Sequence, residues 1–338
     1  MKHYTLLQRI GEGSFGEVHE VRDNRDGTLK AAKRIRLRNV SSSDAFPNEA
    51  LREIRALQEI GKYHPNVVRL FDVVPHGSTV VLIMELMSSD LSDVLSSSDT
   101  PLPEDEVKSY MNMLLSGVTY VHESGIIHRD LKPSNLLISS SGVLKIADFG
   151  LARVHDPTRN DSYTHQVATR WYRAPELLFG GRHYGVGVDL WAVGAIFGEL
   201  LNHSPIFPGE NDINQIYRVI QVLGKPSEQE WPNVTSLPDF SKISFPDLDA
   251  VPLECVVPNS TADSLDLLSK LLVYNPESRI SARAGIGHSW FLSKPYAKEP
   301  KHLSIVGVQR SVGSGKRGLP KKLPSPENFD WNMWSTEL

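Results

Sequence analysis

The chain has 338 residues, with 36 Lys and Arg against 40 Asp and Glu, 40% hydrophobic residues and 22% charged ones. This is the composition of a globular protein with a large core, in one bilobed unit or two domains, and the net charge of −4 gives no general pull towards nucleic acid or a membrane surface. A single cysteine, Cys255, excludes an internal disulfide and suits a reducing cytosol or nucleus, where it reads as a small half-buried hydrophobe.

The first ninety residues read mostly as strands. Leu6–Ile10 leads into a glycine-rich turn, and Val18–Val21 and Leu29–Ile35 follow. Val67–Val74 and Thr79–Met84 are β-rich runs separated by Pro75-His76-Gly77-Ser78, a hairpin signal. Between them, Ala50, Leu51, Ile54, Leu57 and Ile60 fall at the spacing of an amphipathic helix that starts after Pro47 and stops at Gly61. Beyond residue 100 the pattern turns helical. Pro103 followed by Glu104, Asp105 and Glu106 marks a helix start. Leu136–Ile138 and Val143–Ile146 flank a small hairpin, and Asp189–Leu201 is apolar nearly all round, as a buried central helix is. Asn211–Leu223 and Ala262–Val273 are further helices. That longest dense apolar run carries Glu199 and falls short of the roughly 18 residues of a membrane span. Neither a secretory leader nor a lipidation signal is evident, Lys2 standing where myristoylation needs glycine. From about residue 292 to 338 the chain becomes basic and rich in Pro and Gly, which predicts a largely disordered tail.

Several motifs carry chemistry. Gly11-Glu12-Gly13-Ser14-Phe15-Gly16, with Val18 continuing as strand, is a turn whose backbone N–H groups can lie against phosphates, although the spacing alone fits a plain glycine turn equally well. Lys33 in an apolar strand needs a partner, and Glu53 on the following helix is the candidate; alone, the two read equally as a surface lysine and a solvated glutamate. The decisive segment is His128-Arg129-Asp130-Leu131-Lys132-Pro133-Ser134-Asn135, whose specified positions would coincide on the order of once in 10⁹ starts at average composition. This string resembles the catalytic loop of the eukaryotic protein kinases, and Asp148-Phe149-Gly150 and Ala174-Pro175-Glu176 follow in that family's order.

The resemblance covers residues 4 to 291 and implies an α+β, bilobal protein kinase fold: a β-rich N-terminal lobe with one regulatory helix (4–86) and a larger helical C-terminal lobe (87–291). It implies a serine/threonine kinase using ATP and Mg²⁺. By the family's template for phosphoryl transfer, Asp130 accepts the substrate hydroxyl proton, Lys132 neutralises the moving phosphate and Lys33 holds the ATP phosphates while Glu53 holds Lys33. Asn135 and Asp148 bind the metal, and Thr169 bonds near Asp130 and Lys132. Ile10, Val18 and Ala31 form the roof of the adenine slot and Leu137 its floor. Met84 is the gatekeeper, Glu85 and Met87 offer backbone hydrogen bonds, and Asp90 reaches the ribose.

Pro47–Glu53 resembles the cyclin-contacting helix of the cyclin-dependent kinases, with Glu49 and Leu51 altered, so a cyclin or another activator is the implied partner. Further strings resemble the branch of that group associated with cell-cycle and cilium-length control. The implied site of action is the cytoplasm or nucleus, with the cilium as a third place. Thr164 is the implied regulatory phosphosite, its phosphate gripped by Arg52, Arg129 and Arg153. Val167–Arg170 resembles a pocket for proline after the phosphorylated residue, so Ser/Thr-Pro protein substrates are implied. Phe15 replaces a tyrosine that is a site of inhibitory phosphorylation in many relatives. Asp189 is expected to tie the catalytic-loop backbone and Glu176 to pair with Arg279. The alternative is a catalytically weak kinase-fold scaffold, for which loss of Lys33, Asp130 or Asp148 would be the mark; none is lost.

Overall fold

In this computed structural model the described residues are 2–13, 16–36, 48–60, 64–76, 79–97, 99–155, 162–244 and 247–304. The N-terminal strands form one antiparallel sheet in the order β1-β2-β3-β5-β4, comprising β1 (Tyr4–Gly13), β2 (Gly16–Asp23), β3 (Leu29–Arg36), β4 (Leu70–His76) and β5 (Thr79–Glu85). Strand alternation divides the buried side chains of β5 between two layers. Val81 and Ile83 join Tyr4, Val21 and Ala32 on one face, whereas Val80 and Leu82 join Ile35 on the other. The second face meets helix α1 (Asn48–Glu59) through Ile54.

Helix α1 also belongs to the rest of the molecule. Its Ala56 and Leu57, with Ile60 just beyond, lie in the large core of the C-terminal lobe. Val67 does not continue into β4 but makes an isolated parallel bridge to Ile146, so the strand starts later than the sequence suggests. Two short elements lead on: β6 (Ser89–Asp90) and α2 (Leu91–Ser96).

The helical lobe is built around α3 (Glu104–Glu123), whose first turn holds three acids as the helix dipole favours. Short strands β7 (Ile126–Ile127), β8 (Leu136–Ile138), β9 (Leu144–Ile146) and β10 (Arg153–Val154) carry the catalytic segments across its surface. Then come α4 (Pro175–Leu178), α5 (Gly187–Asn202), α6 (Asp212–Leu223), α7 (Leu253–Val256), α8 (Ala262–Leu271), α9 (Ala282–Ile286) and α10 (Ser289–Leu292). Helix α5 is buried along nearly its full length, as its all-round apolar sequence predicts. Among the described residues no helix is long and apolar enough to cross a membrane.

Two expectations need correction. The predicted tail begins too early: residues 293–304 fold along α3, with Leu303 buried at 3% exposure. Lys108, with no exposed surface, donates to the carbonyls of Ser293 (2.8 Å) and Pro295 (2.9 Å), and buried Glu106 accepts from Lys298 (2.9 Å) and Ser304. Two buried charges on α3 thus require this segment as their partner, a need that composition does not reveal. The remainder of the tail, 305–338, lies outside the described residues. Cys255, read as half-buried, is exposed on α7, where the short helix turns it outward.

Candidate active site

Lys33 stands on β3, in register with Val18 of β2 and Leu82 of β5. Its ammonium lies 2.8 Å from Glu53 Oε1 and 2.9 Å from Oε2, and 2.9 Å from Asp148 Oδ1. A lysine this buried would lose its proton if alone; burial lowers its pKa, but Glu53 and Asp148 outweigh that and hold it above its ordinary value. Burial likewise pushes the Asp148 carboxyl up, and the Lys33 charge outweighs it, so Asp148 sits below the usual carboxylate range. One ammonium therefore joins the sheet, α1 and the segment after β9.

Asp148 adopts φ 64, a left-handed conformation that costs a non-glycine residue about 1–3 kcal/mol and persists only where its surroundings fix it. Arg129 (φ 68) and Ala168 (φ 65) share this region, so three of the five such non-glycine residues among the described ones lie around one site. His128 helps to fix the arrangement. Its ring bonds the Ala147 carbonyl at 3.0 Å and packs edge-on against Phe149, with centroids 4.8 Å apart.

The Asp130 carboxylate is the centre of a second cluster. Thr169 donates its backbone N–H (2.9 Å) and hydroxyl (3.1 Å) to Oδ1, while Lys132 reaches Oδ2 at 2.8 Å. Lys132 also lies 2.9 Å from the Thr169 hydroxyl, and Asn135 Nδ2 donates to the Asp130 carbonyl (2.8 Å) and to Oδ2 (3.1 Å). The backbone beneath is held by Asp189 at the start of α5, which accepts from the N–H groups of His128 and Arg129, each at 2.8 Å, and meets the His122 ring at 2.9 Å. Glu176 and Arg279 form a buried two-pronged pair at 2.7 and 2.8 Å. Both of these links stand where the sequence places them.

The adenine-slot candidates are divided between the N-terminal sheet and the short strands of the helical lobe. Ala31 pairs in register with Met84, and Leu137 of β8 pairs with Asp90 and Lys145. Gly13 pairs with Gly16 at the tip of the glycine turn, and Ile10 and Gly11 precede it on β1; Ser14 and Phe15 lie outside the described residues. A Cβ on Gly16 would come within 2.0 Å of the Arg34 carbonyl, so close strand packing alone already demands glycine there. Glu85 gives its N–H to the Arg69 carbonyl at 3.0 Å, which confines any hydrogen bond it offers an adenine edge to its carbonyl. Its side chain pairs with buried Lys145 at 3.0 Å. Met87 is buried. Asp90 caps α2, with Oδ1 accepting from the N–H groups of Ser92 (2.9 Å) and Asp93 (3.1 Å).

Thr164 is exposed in the activation segment. Arg129 and Arg153 both act on nearby Tyr184, and the buried Arg153 Nε has no hydrogen-bond partner among the described residues. Arg52 sits on α1 immediately before Glu53. Three residues at the site escape the motif reading: Tyr184, His122 and Arg173. Arg173 donates to the carbonyls of Val167 (2.8 Å) and Ala168 (2.9 Å). No short pattern points to Tyr184 or His122, because each meets its partner only through long-range folding.

Comparison with known proteins agrees with this geometry. A family model described as protein kinase domain matches residues 4–291. Over 329 residues the chain is 51% identical to cyclin-dependent kinase 20 of Danio rerio, covering 97% of this chain and 93% of that protein. It is also 51% identical over 329 residues to cyclin-dependent kinase 20 of Homo sapiens, covering 97% and 92%. It is 43% identical to cyclin-dependent kinase 7 of Xenopus laevis, covering 95% of each. A chain in the solved structure of the CAK complex from Chaetomium thermophilum bound to ATP-gamma-S superposes with a TM-score of 0.83 at 34% identity, covering 89% of this chain and 95% of that one.

Proposed function

This chain belongs to the protein kinase family, within its cyclin-dependent serine/threonine group, and on that premise we propose how its residues divide the transfer of the ATP γ-phosphate to a protein hydroxyl. Asp130 orients the substrate hydroxyl and takes its proton. Thr169 and Lys132 hold the Asp130 carboxylate from two sides, so it needs no reorganisation when the hydroxyl arrives. Lys132 meets charge on the moving phosphoryl oxygens, and Lys33, braced by Glu53, grips the phosphates that stay behind. The observation that carries this reading is the Lys33 ammonium, bonded at once to Glu53 and Asp148, because it joins both lobes at the point where phosphates must lie.

Asp148 and Asn135 would hold Mg²⁺. Asn135 turns its amide nitrogen to Asp130, which leaves a hard amide oxygen beside a carboxylate, the donor type this ion takes while keeping positions for phosphate oxygens. The bound ion would supply charge neutralisation on those oxygens.

The substrate is a Ser/Thr-Pro site. Arg173 occupies the Val167 and Ala168 carbonyls, so the N–H of a residue following the target hydroxyl finds no acceptor there. Proline has no N–H to leave unsatisfied, and other residues lose on the order of 1–3 kcal/mol. A cyclin or another helix-binding activator seats against α1, whose position sets the Glu53–Lys33 contact. Pro47 lies outside the described residues.

The test is transfer of labelled γ-phosphate to a Ser-Pro peptide, to its Ser-Ala counterpart and in the Asp148→Ala variant. Labelling that favours Ser-Pro and vanishes with Asp148→Ala is expected. Equal labelling of the two peptides would end the proline assignment. Thr164-phosphorylated protein that binds ATP yet labels nothing would favour the scaffold reading.

A further inference from the structure

Arg129 immediately precedes Asp130, and its guanidinium is buried. Its Nε donates to the Leu151 carbonyl at 2.7 Å and its Nη1 to the Tyr184 hydroxyl at 2.7 Å. The same hydroxyl donates to the backbone carbonyl of Thr164 at 2.7 Å. Tyr184 comes from the loop between α4 and α5, and it is 8% exposed. Tyr163 packs against its ring at 5.3 Å between centroids and is itself anchored by its N–H to the Arg182 carbonyl at 2.7 Å, while Arg129 lies over the Tyr163 ring at 5.9 Å. Burial raises the Tyr184 hydroxyl above its usual pKa, with Arg129 opposing, so the group keeps the proton that it donates.

These bonds close a circuit. The catalytic loop reaches the activation segment from Arg129 through Tyr184 to Thr164. The segment returns to the catalytic loop through the Thr169 N–H on Asp130. The stretch Val167–Thr169 lies inside this loop of contacts and is held at both ends.

We propose that the Tyr184 hydroxyl is a positioning group that ties Arg129 to the activation segment in the unmodified enzyme, doing in part what a phosphate on Thr164 does in the modified one. The inference rests on the reading of Thr164 as the activating phosphosite. Both devices act on Arg129, so they overlap. Loss of the hydroxyl matters while Thr164 is bare and matters little once a dianion supplies charge-assisted bonds to the same arginine. A single hydrogen bond to a charged group is large enough to shift a rate about tenfold.

The experiment compares wild type with Tyr184→Phe, each as full-length protein, phosphatase-treated and stoichiometrically phosphorylated on Thr164. The readouts are kcat and KM for a Ser-Pro peptide and for ATP. In the bare enzyme Tyr184→Phe is expected to lower kcat/KM for peptide about tenfold with the KM for ATP unchanged, and in the phosphorylated enzyme about twofold or less. Amide exchange over residues 162–170 is the second readout, expected to quicken only in the bare variant. Equal loss in both forms would mark Tyr184 as a folding residue and overturn the proposal, as would no loss in the bare form. If phosphorylation of Thr164 fails to raise wild-type activity, the phosphosite reading falls by itself, and the bare-enzyme comparison still decides the role of Tyr184.

Discussion

Lys33 and Asp130 are held in different ways. Lys33 rests on a sheet whose hydrophobic clusters, among the described residues, are small: five side chains on one face and three on the other. It is braced by Glu53 on α1, a helix shared between that sheet and the helical lobe. Asp130 follows core segments of the helical lobe, and the two residues before it, His128 and Arg129, are pinned through their N–H groups by buried Asp189. Charge placed over a large core is fixed by the fold, whereas charge braced by a shared helix moves when that helix moves. On the proposed reading, activation is a matter of positioning α1 and the activation segment around an Asp130 carboxylate that Thr169 and Lys132 already hold.

The sharpest way to break this contrast is to remove chemistry without removing structure. Asp130→Asn is expected to lower kcat by about 10²–10⁴-fold, with thermal stability and ATP affinity nearly unchanged, by steady-state kinetics and a melting curve. A large stability loss would show that the carboxylate serves the fold. Next, Arg279→Met tests the scaffold. The Arg279 side chain is fully buried and also donates to the Gly187, Val273 and Tyr274 carbonyls, so denaturant unfolding should show a loss of about 3–5 kcal/mol. By comparison, Glu53→Gln should reduce kcat/KM about 10–100-fold with a much smaller stability change, because Lys33 retains Asp148 as a partner. If Glu53→Gln unfolds the protein as readily as Arg279→Met, the contrast between the two regions is wrong.

Acid titration sharpens it further. Burial raises the Asp189 carboxyl, but His122, His128 and the Arg129 N–H outweigh burial and lower it. A lowered native pKa means that the unfolded chain takes up the proton first. This contribution is thus present above about pH 4 and is lost as the pH falls through the native value. Unfolding free energy should fall more steeply in wild type than in Asp189→Asn as the pH drops below about 4.5. The smallest effect is expected at the surface: Arg283→Ala, which removes an exposed pair with Glu123, should shift the melting temperature by no more than about a degree.

Most of the catalytic geometry was legible in the sequence because its residues sit in short strings of fixed spacing. His128–Asn135 and Asp148–Gly150 each fold locally, and Glu176 and Asp189 found their partners where resemblance placed them. Less visible were contacts made by single residues from distant loops. Tyr184 meets Arg129 across 55 positions, and Lys108 meets Ser293 across 185, without any repeating pattern to announce them. Asp90 shows another limit. An aspartate before a helix is an N-cap first, a role that the resemblance, which named only a ribose, did not announce. Composition misplaced the tail for a related reason, since proline and lysine content reports average solvation and not whether one buried ammonium awaits a carbonyl.

The segment along α3 has a practical side. A shortened chain ending at residue 291, the limit of the family match, would discard the Ser293 and Pro295 carbonyls that receive the protons of Lys108 and leave it Glu104 at 3.8 Å. Glu106 would lose Lys298 and Ser304 by the same cut. Such a fragment carries every signature residue of the enzyme and yet loses these bonds, whereas one extended to residue 304 retains both acceptors and donors.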